Sequence, residues 1–113
     1  MKHLLLWDID GTLIASGGAG MRALERALHS VFGIDGSLAD IDFAGRTDTW
    51  IMRAVFRKFA LIDSQENFAR FFDGYVATLP SELVNPHARV LPGVREILAA
   101  ATAHGGFAQG LLT

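Results

Sequence analysis

Two acids, Asp8 and Asp10, stand two residues apart, with Gly11 and Thr12 directly after them. They close a short apolar run, Leu4 to Trp7. Four to eight apolar residues bounded by turn formers suit a buried parallel strand. In open α/β sheets, ligands bind outside the carboxyl ends of the strands, which is where this spacing puts Asp8. A carboxylate there can act as a nucleophile that forms a phosphoenzyme. A second carboxylate beside it can protonate a leaving oxygen and then activate water. Two negative charges side by side favour a hard dication such as Mg2+, which prefers oxygen ligands. Gly11 lets the backbone turn tightly or approach a ligand closely. Asp and Gly are also ordinary turn formers, but a plain turn does not account for two acids placed together behind an apolar strand.

The rest of the chain must position this pair. Met21, Leu24, Leu28 and Val31 recur at helical spacing, and Gly33 is a suitable stop. A loop rich in Gly and Asp runs over residues 34–45. A second helix follows Arg46-Thr47-Asp48, with Ile51, Met52, Val55, Phe56 and Phe59 inward. Ser64 is a good N-cap for a third helix, whose stripe is Phe68, Phe71, Phe72, Tyr75, Val76 and Leu79, with Pro80 as its expected end. Gly74 inside it costs about 1 kcal/mol relative to Ala. Residues 86–91 read as a connector. Pro92 opens a fourth helix that turns Val94, Ile97, Leu98 and Ala101 inward and stops at His104-Gly105-Gly106. Residues 107–112 read as a second buried strand with Thr113 at its end.

Two apolar strands joined by helices predict an α/β fold, a doubly wound parallel sheet with an inserted helical segment. Two strands are too few for a parallel sheet, which needs cover on both faces and neighbours on its edges. The expectation is that further chain, or a partner copy in an oligomer, completes the sheet.

Composition sets the outer bounds. The 113 residues offer one ordinary domain at most. Half are hydrophobic and 19% are charged, which suits a folded chain. The net charge is −2, with no strong basic patch, so neither nucleic acid nor a membrane surface is an expected partner. Arg53, Arg57 and Lys58, the densest basic cluster, read as a solvated helix face. The absence of cysteine excludes disulfides and thiolate chemistry. No run is long enough for a signal peptide or a membrane span, so a cytoplasmic location is the expectation. His3, His29, His87 and His104 are scattered without metal-ligand spacing.

Leu5-Leu6-Trp7-Asp8-Ile9-Asp10-Gly11-Thr12-Leu13 resembles the first motif of the haloacid dehalogenase (HAD) superfamily, an apolar stretch followed by D-x-D-G-T/V. Leu111-Leu112-Thr113, placed after Leu91-Pro92-Gly93-Val94 and a helix, resembles its second motif. The resemblance covers the whole chain. It implies a HAD-like Rossmann-type core formed by residues 1–15 and 85–113, with residues 16–84 as an inserted helical cap. It implies that Asp8 attacks phosphorus and that Asp10 is the general acid and base. Mg2+ would sit on the Asp8 carboxylate and the Asp10 backbone carbonyl. Gly11, Thr12 and Thr113 would join Asp8 in holding the phosphoryl group. An acid at position 10 points to a phosphatase or mutase rather than a dehalogenase. Gly45-Arg46-Thr47-Asp48 resembles a cap segment that carries substrate contacts in members like phosphoglycolate phosphatase and β-phosphoglucomutase. Arg46 would grip an anionic or polar group, or stand solvated beside a helix that Thr47 or Asp48 caps. Trp50 stands near Arg46, where it would line the substrate entrance or simply pack. Gly17-Gly18 resembles a core–cap hinge, with a simple loop as the equal alternative.

The family's third motif, a basic residue, and its fourth, an acidic pair, are not in this sequence. Lys58, Glu82 and Glu96 do not take those places. The chain therefore reads as an N-terminal piece of a Mg2+-dependent phosphatase acting on a small phosphorylated metabolite. A phosphosugar mutase and a catalytically incomplete phosphate- or protein-binding remnant are the alternatives.

Overall fold

The structure is a computed structural model and describes residues 2–112. The elements run β1 (His3–Asp8), β2 (Ile14–Ala15), α1 (Ala19–Phe32), α2 (Asp48–Lys58), α3 (Gln65–Leu83), β3 (Arg89–Val90), α4 (Val94–His104) and β4 (Phe107–Leu112). They fall into two compact units. One holds the chain up to Gly17 and from Asn85 onward; the other is Gly18–Val84. No helix among the described residues is long and apolar enough to cross a membrane.

In the first unit, β1 and β4 pair in parallel, from His3 opposite Phe107 to Asp8 opposite Leu112. A parallel pair needs a crossover, and α4 supplies its last leg. The Trp7 indole donates to Gln109 Oε1 at 2.9 Å, and the Gln109 amide donates to Thr102 Oγ1 at 2.9 Å, linking β1 through β4 to α4. A second ribbon, β2 with β3, is antiparallel and only two residues wide. Two-residue strands carry no periodicity, so residues 86–91 read as a bare connector.

The strands were expected to be buried, and they are not. Leu4 is 64% exposed and Leu111 60%. The reason is the sheet itself: with two strands, no neighbour or second layer covers those faces. Ile97, expected to face inward from α4, is likewise exposed, whereas Val94 and Ala101 are buried. Pro92 lies one residue before the Gly93 N-cap rather than inside the first turn.

The second unit holds the larger core. Leu24, Ala27 and Leu28 of α1, Leu38 of the loop, Ile51, Met52, Val55 and Phe56 of α2, and Phe71 of α3 form one cluster. The rings of Phe32, Phe56 and Phe71 meet at centroid separations of 5.6–6.0 Å, within the range of favourable aromatic pairs. Gly33 ends α1 in the left-handed conformation, its N–H donating to the His29 carbonyl at 2.8 Å and the Ile34 N–H to the Leu28 carbonyl at 3.4 Å.

Helix α3 does not stop at Pro80 but continues to Leu83. Proline lacks the N–H for the helical bond and crowds the preceding turn. The extra turn is anchored from outside: Glu82 accepts from Arg22 Nε at 2.7 Å and from Arg26 Nη1 at 2.9 Å. Gly74 also has a use that periodicity hides. A Cβ there would lie 3.0 Å from Val31 Cγ2 and 3.4 Å from Ala27 Cβ, so its absence lets α3 approach α1 closely.

Candidate active site

Asp8 closes β1, and the chain then turns tightly. The Ile9 carbonyl accepts from the backbone N–H of Thr12, Leu13 and Ile14, at 3.3, 2.9 and 3.1 Å. The Gly11 N–H donates to the Ile14 carbonyl at 2.8 Å, and Asp10 forms an isolated bridge with Ile14. Gly11 sits at φ 80°, in the left-handed region, with nothing within 4 Å of where a Cβ would be. It is therefore glycine for conformation and not for want of space.

The turn is anchored behind the acids. Leu13 is buried, and its carbonyl accepts from the Leu91 N–H at 3.0 Å. The β2–β3 ribbon continues that link through Ile14 opposite Val90. One apolar side chain and a two-residue ribbon thus fix a loop whose polar residues, Asp8, Asp10 and Thr12, all face solvent.

Asp8 and Thr12 are brought together directly: the Thr12 hydroxyl donates to Asp8 Oδ2 at 3.2 Å. That bond leaves Oδ1 of Asp8 for other chemistry and orients the carboxylate. Asp10 keeps its place two residues on. Thr113, expected to hold phosphoryl oxygens, lies outside the described residues. Its neighbour Leu112 pairs with Asp8.

Hard oxygen donors are what Mg2+ takes, and it is commonly held by one or two carboxylates with several waters. Asp8 and Asp10 fit in donor type and exposure. They fall short in number, since no group of three or more His, Cys, Asp or Glu among the described residues gathers as a metal site. Glu82, set aside as a ligand on sequence grounds, is occupied with Arg22 and Arg26, whose hydrogen bonds hold its carboxyl below the usual carboxylate range.

In the second unit, Thr47 is the N-cap of α2, its hydroxyl accepting from the Trp50 N–H at 3.2 Å. Asp48 opens the helix, where an acid complements the dipole. Arg46, next to the cap, lays its guanidinium over the Trp50 ring, 4.4 Å from the centroid. Spacing alone put Trp50 near Arg46 but gave no sign of the stack. Arg53, Arg57 and Lys58, read as a solvated face, are exposed, and two of them also meet acids. Lys58 binds Asp40 and the Ser37 carbonyl, and Arg53 lies 3.7 Å from Asp63. The Lys58 hydrogen bond lowers the Asp40 carboxyl below its ordinary value. Both acids, Asp40 and Asp63, lie in irregular segments, which no periodicity connects to α2.

No protein-family model and no curated protein sequence matches the chain. Solved structures do. A predicted phosphoglycolate phosphatase from Haemophilus somnus 129pt superposes with a TM-score of 0.62 at 21% identity, over 100% of this chain and 53% of that one. A candidate phosphatase from Clostridium difficile gives 0.57 at 19% identity, over 97% of this chain and 49% of that one. A HAD-superfamily hydrolase of subfamily IA from Geobacter sulfurreducens gives 0.49 at 20%, over 99% and 51%. The chain spans about half the length of the solved proteins it matches. It shares the α/β fold of the Haemophilus somnus and Clostridium difficile structures, with a short and incomplete parallel sheet that carries Asp8 at a strand end.

Proposed function

We propose that this chain carries the nucleophile half of a phosphatase acting on a small phosphate monoester. The observation that carries the reading is the Asp8 carboxylate, held by the Thr12 hydroxyl at the carboxyl end of β1 within a fold shared with phosphatases. In this reading Asp8 attacks phosphorus, a bond forms from its carboxylate oxygen, and the bond to the leaving oxygen breaks. Asp10 gives that oxygen its proton. Asp10 then takes a proton from water, the water oxygen bonds to phosphorus, and the bond to Asp8 breaks, releasing inorganic phosphate. Asp8 and the Asp10 carbonyl would hold Mg2+, whose charge would offset that of the phosphoryl oxygens. Gly11, Thr12 and Thr113 would steady those oxygens.

The division of the chain at Gly17 and Asn85 supports assigning residues 16–84 as a cap on a core of residues 1–15 and 85–113. Arg46 in that cap would meet the substrate. The name of the Haemophilus somnus neighbour favours a small phosphorylated acid as substrate. Replacing Asp8 by Asn removes the nucleophile while keeping its shape. The expected result is loss of Mg2+-dependent phosphate release by at least about a thousand-fold, a scale set by removal of single catalytic groups; undiminished release refutes the assignment.

One observation favours a second reading. With no third acid gathered at the Asp8–Asp10 pair among the described residues, the electrostatic support on which phosphoryl transfer depends is thin. The chain by itself would then bind phosphate without turning it over. Mg2+-dependent binding of a phosphoryl mimic, without phosphate release from any monoester, distinguishes this reading.

A further inference from the structure

An Asp-Gly step is chemically vulnerable, because glycine has no Cβ to shield its main-chain nitrogen from the neighbouring carboxyl group. The sequence holds three: Asp10-Gly11, Asp35-Gly36 and Asp73-Gly74. The fold treats them differently. The Gly11 N–H donates to the Ile14 carbonyl at 2.8 Å. Gly74 lies within α3, where the helical ladder takes its N–H. Asp35 and Gly36 lie in the loop after α1, and among the described residues no acceptor takes the Gly36 N–H.

The Asp35 carboxyl also has a proton source beside it. His29, in the last turn of α1, places Nδ1 2.6 Å from Asp35 Oδ1. The Asp35 side chain is 86% exposed, so water reaches it. The pair opens on a cleft of about 620 Å³ that Arg22, Glu25, Arg26 and Ser30 also line. Gly36 itself lies against Phe59, since a Cβ there would come 2.5 Å from Cζ of the ring. Packing thus demands glycine at this step and leaves its nitrogen unshielded.

We propose that Asp35-Gly36 is a site of self-modification, at which the chain converts Asp35 to isoaspartate with His29 as the proton donor. The Gly36 nitrogen bonds to Asp35 Cγ, and the bond from Cγ to Oδ1 breaks. The leaving oxygen takes one proton from the Gly36 N–H and one from protonated His29 Nδ1, and departs as water. Water then opens the five-membered imide. Breaking its N–Cγ bond restores aspartate. Breaking its bond to the Asp35 main-chain carbonyl carbon instead routes the backbone through Cγ. In both cases the new carboxyl group returns a proton to solvent, and the mass of the chain is unchanged.

Isoaspartate adds one methylene to the main chain, and it falls between two anchors. The Ile34 N–H donates to the Leu28 carbonyl at 3.4 Å, and the Leu38 N–H to Glu25 Oε1 at 3.0 Å. The Leu38 side chain is fully buried. Conversion lengthens a span whose ends are fixed and so loosens Leu38 in the core of the second unit. None of this depends on the phosphatase reading.

The test incubates the folded full chain in mildly acidic buffer. Aspartate and isoaspartate at residues 10, 35 and 73 are followed by peptide separation and electron-transfer fragmentation. Isoaspartate is expected at residue 35 ahead of the other two. His29→Gln keeps a polar group without its acid, and His29 is 66% exposed, so the change spares the core. It should slow conversion about ten- to hundred-fold, up to the low end of general acid catalysis, with an unchanged circular dichroism spectrum. Asp35→Glu, which would need a six-membered ring, should show no conversion at that residue. In urea the three rates should converge, and His29→Gln should have no effect. Hydrogen exchange should find the Leu38 amide less protected in the converted chain. Equal conversion at the three sites in the folded chain overturns the proposal. So does an unaltered rate at residue 35 in His29→Gln, or a His29 effect that persists in urea.

Discussion

The strand end at Asp8 and the turn through Asp10, Gly11 and Thr12 were legible because an apolar run followed by acids and a glycine marks such a place. What the sequence could not convey was which atoms meet. The Thr12 hydroxyl on Asp8 and the Arg46 guanidinium on Trp50 depend on local turns, and the Arg22–Glu82–Arg26 bridge joins residues 60 apart. That bridge yields a prediction at this scale. The two arginines lower the Glu82 carboxyl below its usual value of 4.5. A carboxyl lowered on folding adds stability that is complete above its unfolded value and is lost as pH falls through the lowered one. Thermal melts should therefore show Glu82→Gln less stable than the parent at pH 7. The gap should narrow as pH falls below the ordinary carboxylate range and through the lowered value, where the parent carboxyl also protonates. A gap that stays constant with pH would mean that Glu82 acts by packing alone.

Helices were the most readable elements, since α1, α2 and α3 each follow an apolar stripe with one recognisable cap: Gly33, Thr47 and Ser64. Thr47 and Ser64 do cap α2 and α3 through their hydroxyls. Pro80 misled because local backbone chemistry was weighed without the tertiary anchor at Glu82. Gly74 misled in the other direction: propensity counts it as a weakness, but the α1 approach requires it. Gly74→Ala should thus fail to yield the gain of about 1 kcal/mol expected in an open helix, and Gly74→Val should cost about 1–3 kcal/mol by overpacking against Val31 and Ala27. Urea denaturation measures both, and a full gain in the alanine variant would show that α3 can step away from α1. Phe71, fully buried among Phe32 and Phe56, should cost about 3–5 kcal/mol on truncation to Ala. That is a large share of the roughly 5–15 kcal/mol of a whole domain.

At the scale of the molecule, the α/β class and the parallel pairing of its two long strands followed from two apolar runs separated by helices. Their exposure follows from how few strands there are. Leu4, Leu6, Leu111 and Leu112 present apolar surface on β1 and β4 that a two-stranded sheet cannot cover. Uncovered strands of this kind invite pairing with other chains. The 113-residue chain should therefore self-associate in sedimentation experiments, and Leu4→Lys with Leu111→Lys should reduce that association without loss of helix signal. A monodisperse monomer in the parent chain would mean that these leucines are covered in solution by a rearrangement of the sheet. The second unit, with its own core, should keep its protection from hydrogen exchange in both variants.

The proposed phosphatase chemistry requires that Asp8 receive a phosphoryl group. The direct measurement is incubation with acetyl phosphate and Mg2+, followed by hydroxylamine trapping and peptide mass spectrometry. A hydroxamate is expected at Asp8, absent without Mg2+ and absent in Asp8→Asn. A trapped adduct at another residue, or none at Asp8 under conditions where the chain binds phosphate, would contradict it.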